Sequence, residues 1–185
     1  MRNKKILKLV FVALFAALIS AGAFIAIPIG PVPIVLQNLF ALLSGLVLGP
    51  VLGTAAVGLF LAAGIIGAPV FANNGSPMGI ARLLGSPSGG FLFGYLLCAL
   101  VAGFIVGFPR PGIKTPVWRI ILAVVTGILV VYIPGLIRLK FVMNIDWRKT
   151  FVVGFIPFII GDTIKGVIAG LISPRLRRSI AQLFI

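Results

Sequence analysis

Long apolar runs separated by short, turn-rich connections fill the chain. A bilayer core needs about 20 mostly apolar residues per helix, and six stretches meet that length: roughly 6–27, 33–49, 51–69, 89–108, 117–136 and 157–174. The breaks between them have chemical causes. Pro28-Ile29-Gly30-Pro31-Val32-Pro33 is a rigid turn, because prolines cannot continue a helix. Gly49-Pro50 makes the next one. The stretch 69–90 is more polar, with Asn73, Asn74, Ser76, Arg82, Ser86, Ser88 and several glycines. Non-helical backbone at membrane depth is tolerated only when buried in protein or lining a cavity, so this stretch is either an exposed loop or a lid over a site. In the fifth connection, 137–156, Asp146 is placed to cap a short helix. Trp147, Phe151, Val152 and Phe155 would form that helix's apolar face at the interface, and Pro157 suits the first turn of the last span.

Composition makes the membrane reading firm. Hydrophobic residues are 61% and charged residues 10%, with mean hydropathy +1.26. A soluble domain is about 25% charged and could not hide this apolar surplus. Sixteen Lys and Arg against two acids give a net charge of +14. Nucleic-acid binding is excluded as the meaning of that charge, because such domains gather their cations in a wet patch or stripe. Here the cations sit in connections, where they set orientation. The N-terminal flank (Arg2, Lys4, Lys5, Lys8), the fourth connection (Arg110, Lys114, Arg119) and the C-terminal tail (Arg175, Arg177, Arg178) carry ten. The other side carries five: Arg82, Arg138, Lys140, Arg148 and Lys149. The expectation is an all-α integral membrane protein: one domain, 1–185, a six-transmembrane-helix bundle with both termini cytoplasmic. The first apolar run continues to Ile27, beyond the 7–15 residues of a signal-peptide core, so it reads as a span.

Several chemistries drop out. The chain has no His, which removes His-ligated metals and Ser-His catalysis. The two acids, Asp146 and Asp162, lie in different segments. The single Cys98 sits in an apolar run and reads as a small buried thiol. Gly107-Phe-Pro-Arg-Pro-Gly112-Ile113-Lys114-Thr115 is not a phosphate loop, since Ile113 separates the second Gly from Lys. Neither an enzyme nor a resident cofactor or metal is expected.

The strongest candidate for chemistry is Gly161-Asp162-Thr163-Ile164-Lys165 in the last span. Asp162 and Lys165 are three apart and share a helix face. A lone charge at the bilayer centre costs about 2.5–3.5 kcal/mol on insertion scales. A self-neutralised pair offsets part of that, and a polar site facing the bundle interior is the functional reading. Asn73, Arg82 and Ser88 of the 69–90 stretch add donors and acceptors. Gln37 starts the second span, either as an interhelical hydrogen bond or as a cavity wall. Ala13, Ala17 and Ala21 form a smooth stripe on the first span, which allows a close helix contact.

These motifs together resemble the BioY family, the biotin-specific S components of energy-coupling factor (ECF) transporters. The residues that carry the resemblance are Pro31-Val32-Pro33-Ile34 with Leu36-Gln37, and Gly67-Ala68-Pro69-Val70-Phe71-Ala72. They continue with Pro87-Ser88-Gly89-Gly90-Phe91, Pro157-Phe158 and Gly161 to Lys165. Val35 stands where the family usually has Thr, and Ser88 and Phe91 stand where it has Thr and Tyr. Ser88 keeps the hydroxyl; Phe91 keeps the ring without the phenol. The resemblance implies biotin capture and uptake across the bacterial cytoplasmic membrane, with a membrane coupling subunit (T component) and a cytoplasmic ATPase pair as partners. It implies ligand contacts at Asp162, Lys165 and Asn73, and docking of the coupling subunit on Ala13 and Ala17. Biotin's ureido ring offers two N–H donors and a carbonyl, on an apolar bicycle with a carboxylate tail. A mostly apolar cavity with a few polar groups suits it, and which group meets which residue stays open. A standalone or homodimeric carrier, another vitamin as ligand, or an enzyme using Asp162 and Lys165 are the alternatives.

Overall fold

The computed structural model describes residues 4–28, 31–72 and 79–184. Seven helices and one two-stranded ribbon are found among them. Helix α1, Lys4–Ala21, is followed by β1, Ala26–Ile27, which pairs antiparallel with β2, Ile34–Val35, across the proline-rich turn. Helix α2 spans Gln37–Ile65 but is broken at Gly49, whose φ of 82° suits a residue without Cβ. Pro50 follows with no N–H to give. The two arms fold back on one another, and Ser44 Oγ lies 3.2 Å from Gly53 O across the break. Helices α3 (Ile80–Gly85), α4 (Gly89–Val106), α5 (Val117–Met143), α6 (Trp147–Gly154) and α7 (Ile156–Leu183) complete the chain.

Among the described residues four helices, α2, α4, α5 and α7, are long and apolar enough to cross a membrane. Helix α1 buries Val12, Phe15, Ala16 and Ile19 against α2 and carries Lys4, Lys5 and Lys8 at its start. The centre of the bundle is α2 packed on α4 and α4 on α5, with α7 closing against α2 and α5. Small residues allow this closeness: a Cβ on Gly45 would stand 2.4 Å from Ala99 O of α4. Asp146 caps α6, accepting from Lys149 N at 2.8 Å, and Pro157 sits in the first turn of α7.

Three boundaries differ most from the sequence reading, and α2 also begins at Gln37 and ends at Ile65, inside the expected limits of 33 and 69. The first helix stops at Ala21, because the chain turns there into the ribbon. Helix α5 runs through Pro134 to Met143, so Arg138 and Lys140 sit on a helix, not in a connection. Helix α7 runs through Pro174 to Leu183, so Arg175, Arg177 and Arg178 are helical and Arg177 is buried. Hydropathy finds the apolar part of a helix. It does not find the turns that continue beyond it, and a single proline removes only one backbone hydrogen bond.

Candidate binding site

The break in α2 brings its first residues next to the middle of α7. Asp162 and Lys165 project from α7 toward β2 and the start of α2. Both are buried, with 7% and 8% exposure. Lys165 Nζ lies 3.1 Å from Asp162 Oδ1. It also donates to Val35 O at 2.8 Å and Asn38 Oδ1 at 3.1 Å. An ammonium has three N–H donors, and all three have an acceptor. The carboxylate is held as firmly: Asn38 Nδ2 donates to Oδ1 at 2.6 Å, and Tyr132 Oη of α5 donates to Oδ2 at 2.6 Å. An ionised carboxylate offers about four lone-pair sites. Three are taken, and the open one is on Oδ2.

This network forms the polar wall of a narrow cavity, partly open to solvent. A mostly apolar wall with a few convergent polar groups is the pattern of small-molecule sites. The rest of the wall is largely aromatic: Phe71, Phe91, Tyr95, Tyr132 and Phe158. The Phe91 ring stands edge-on to Tyr132 at 6.1 Å between centroids and faces Phe158 at 6.3 Å. It fits because Gly135 has no side chain, for a Cβ there would lie 2.5 Å from the ring. Helix α3 delivers Arg82 to the rim. Its Nη2 donates to Ala72 O at 2.6 Å, while its Nε is buried without a hydrogen-bond partner. Burial lowers the Arg82 pKa from its ordinary value.

Six of the residues singled out in the sequence thus line one cavity: Gln37, Arg82, Ser88, Phe91, Asp162 and Lys165. Gln37 is buried and donates through Nε2 to Val70 O at 3.0 Å, tying α2 to the segment before the loop. Ser88 and Ser86 hydroxyls lie 3.1 Å apart. Asn73 lies outside the described residues. Ala13 and Ala17 are away from the cavity, exposed on the outer face of α1. Sequence reasoning missed Asn38 and Tyr132. The only signal for Tyr132 was rarity: the chain has two tyrosines, both within apolar spans, where a phenol needs a partner. For Asn38 there was none beyond its place beside Gln37.

Fold and cavity define a class: a helical membrane protein built around a site for a small molecule with both polar and apolar parts. The likenesses to known proteins narrow it. The chain is 41% identical over 171 residues to the biotin transporter BioY of Thermotoga maritima, covering 92% of this chain and 96% of that one. It is 39% identical over 171 residues to the biotin transporter BioY of Rhizobium etli, covering 89% of each. Its fold matches the crystal structure of the S-component for biotin from an ECF-type ABC transporter with a TM-score of 0.82. That match has 33% identity and covers 96% of this chain and 94% of the other. The BioY family profile matches residues 1–182, and the chain belongs to that family.

Proposed function

We propose that this protein captures biotin in the aromatic-walled cavity and serves its uptake across the bacterial cytoplasmic membrane. In this reading it is the substrate-binding subunit of an ECF-type transporter. The observation that carries it is the buried Asp162 carboxylate, preorganised by three donors and retaining an acceptor site on Oδ2. A ureido N–H fits that site. The apolar bicycle fits the Phe91 and Phe158 rings, and the carboxylate tail fits Arg82, whose Nε has no other partner. Lys165 acts through Asp162: it neutralises the buried charge and anchors β2. Gln37 and Ser88 complete the wall, and Asn73 is the contact that the family resemblance adds. The Lys165 ammonium has all three N–H bonds engaged and no lone pair to act as a base.

Energy comes from partners in this reading, a membrane coupling subunit and a cytoplasmic ATPase pair. The exposed Ala13–Ala17 face of α1 would receive the coupling subunit. Six crossings follow if each arm of α2 counts as one, and an even count puts both termini on the same side, the cytoplasmic one by the distribution of Lys and Arg. Uptake that persists in cells lacking the coupling subunit and ATPases would instead support a standalone carrier.

The ligand's orientation has a direct test. Arg82→Gln should weaken biotin binding by about tenfold or more, as loss of a hydrogen bond to a charged group does. The same change should leave binding of biotin methyl ester nearly unaltered. An equal loss for acid and ester would place the carboxylate elsewhere.

A further inference from the structure

We infer that the end of the bundle opposite the biotin cavity holds an anionic phospholipid, with its phosphate among the cations beside the 107–116 connection and an acyl chain along the groove between α5 and α7. From Asp162 to Arg177 is fifteen residues of α7, roughly 22 Å along a helix axis. There α7 and the connection border a solvent-open cleft lined by Arg110, Lys114, Arg119, Arg177 and Arg178, with no acidic side chain. Neither of the two acidic side chains lies among them. Asp146 caps α6, and Asp162 is engaged at the other end. The Lys165–Asp162 ion pair lies at that other end.

Arg177 explains how the cavity is built. It is buried, with 5% exposure, yet meets no carboxylate. Its Nη1 donates to Leu46 O near the end of the first arm of α2. Its Nη2 donates to Val106 O and Gly107 O, both at 3.1 Å, at the end of α4. Its Nε donates to Thr115 Oγ1 at 3.0 Å. Carbonyls at helix C-termini carry the negative end of the dipole and stabilise a cation. Arg177 therefore fixes the wall, while Arg110, Lys114, Arg119 and Arg178 stay exposed around it.

The second observation adjoins the first. Pro174 lines both the cationic cleft and an open apolar groove between α5 and α7. Gly166 and Gly170 open that groove, and Ile121, Leu129 and Leu171 on its sides are 58%, 50% and 73% exposed. Trp118, 60% exposed beside Arg119, marks the headgroup level where indoles concentrate. Basic pockets that meet a membrane-facing groove suit anionic lipid headgroups. A soluble anion would use the cations and leave the groove unused.

The test is native mass spectrometry of the full chain in micelles doped with phosphatidylglycerol or phosphatidylcholine. Phosphatidylglycerol should be retained at concentrations at least tenfold lower. Lys114→Gln/Arg119→Gln, two exposed positions, should weaken its retention roughly 30-fold, at the usual worth of a cation near an anionic surface. Gly170→Phe should weaken it without any change of charge, provided monodisperse elution shows the variant folded. Equal retention of both lipids, or no effect of the double change, overturns the proposal. Displacement of the lipid by millimolar inorganic phosphate, with Gly170→Phe inert, would make this a free-anion site and overturn it as well.

Discussion

Lys165 has three N–H bonds and three acceptors, so removing its ammonium strips Asp162 of its only ionic partner inside the bundle. Breaking a buried pair from one side costs about 3–5 kcal/mol, because the remaining charge is uncompensated. Lys165→Met should therefore lower the melting temperature in detergent markedly. Asp162→Asn/Lys165→Met, which removes both charges, should recover part of the loss. Equal melting of the single and double variants would show that the pair is not coupled. At this scale the sequence was partly readable. Two charges in an apolar run stand out, and a spacing of three puts them on one face. Asn38 and Tyr132 did not stand out. The Tyr132 partner is 30 residues away on another helix, and no local periodicity records such a contact.

The elements are set by where side chains are missing. Gly45 and Gly58 lie on the two arms of α2 and look alike in sequence. A Cβ on Gly45 would meet backbone atoms of Ala99 at 2.4–2.9 Å, whereas one on Gly58 would meet nothing within 4 Å. Gly45→Ala should destabilise by about 1–3 kcal/mol, as overpacking does. Gly58→Ala should be neutral or stabilise by about 0.5–1 kcal/mol, because Gly is the poorer helix former. Thermal melting of the two variants checks both signs, and a matching response would refute the close contact of α2 with α4. Breaks between elements were legible because Gly49-Pro50 and the 28–33 turn are chemical stops. Helix ends at Met143 and Leu183 were not, since α5 and α7 continue past their apolar stretches with charged side chains.

The whole molecule works as proposed only if its cavity and its termini occupy opposite sides of the membrane. Cys98 is 2% exposed, so after Cys98→Ser the chain offers a clean background for single cysteines. Lys114→Cys and Ser179→Cys should react with a membrane-impermeant maleimide from the cytoplasmic side only, and Arg148→Cys from the outside only. Labelling of positions 114 and 179 from opposite sides would rule out the two crossings, α5 and α7, between them. The broad class was legible from hydropathy and charge alone, and the family from scattered motifs. The closing of α2, α4, α5 and α7 around one carboxylate was not, because that is a tertiary fact. Biotin recognition by that carboxylate is the central claim, and titration calorimetry of the purified, ligand-free protein tests it most directly. Tight, near-stoichiometric binding of biotin that vanishes in Asp162→Asn is the predicted result. A folded protein that binds no biotin, or an Asp162→Asn variant that binds it as well as the parent, would contradict it.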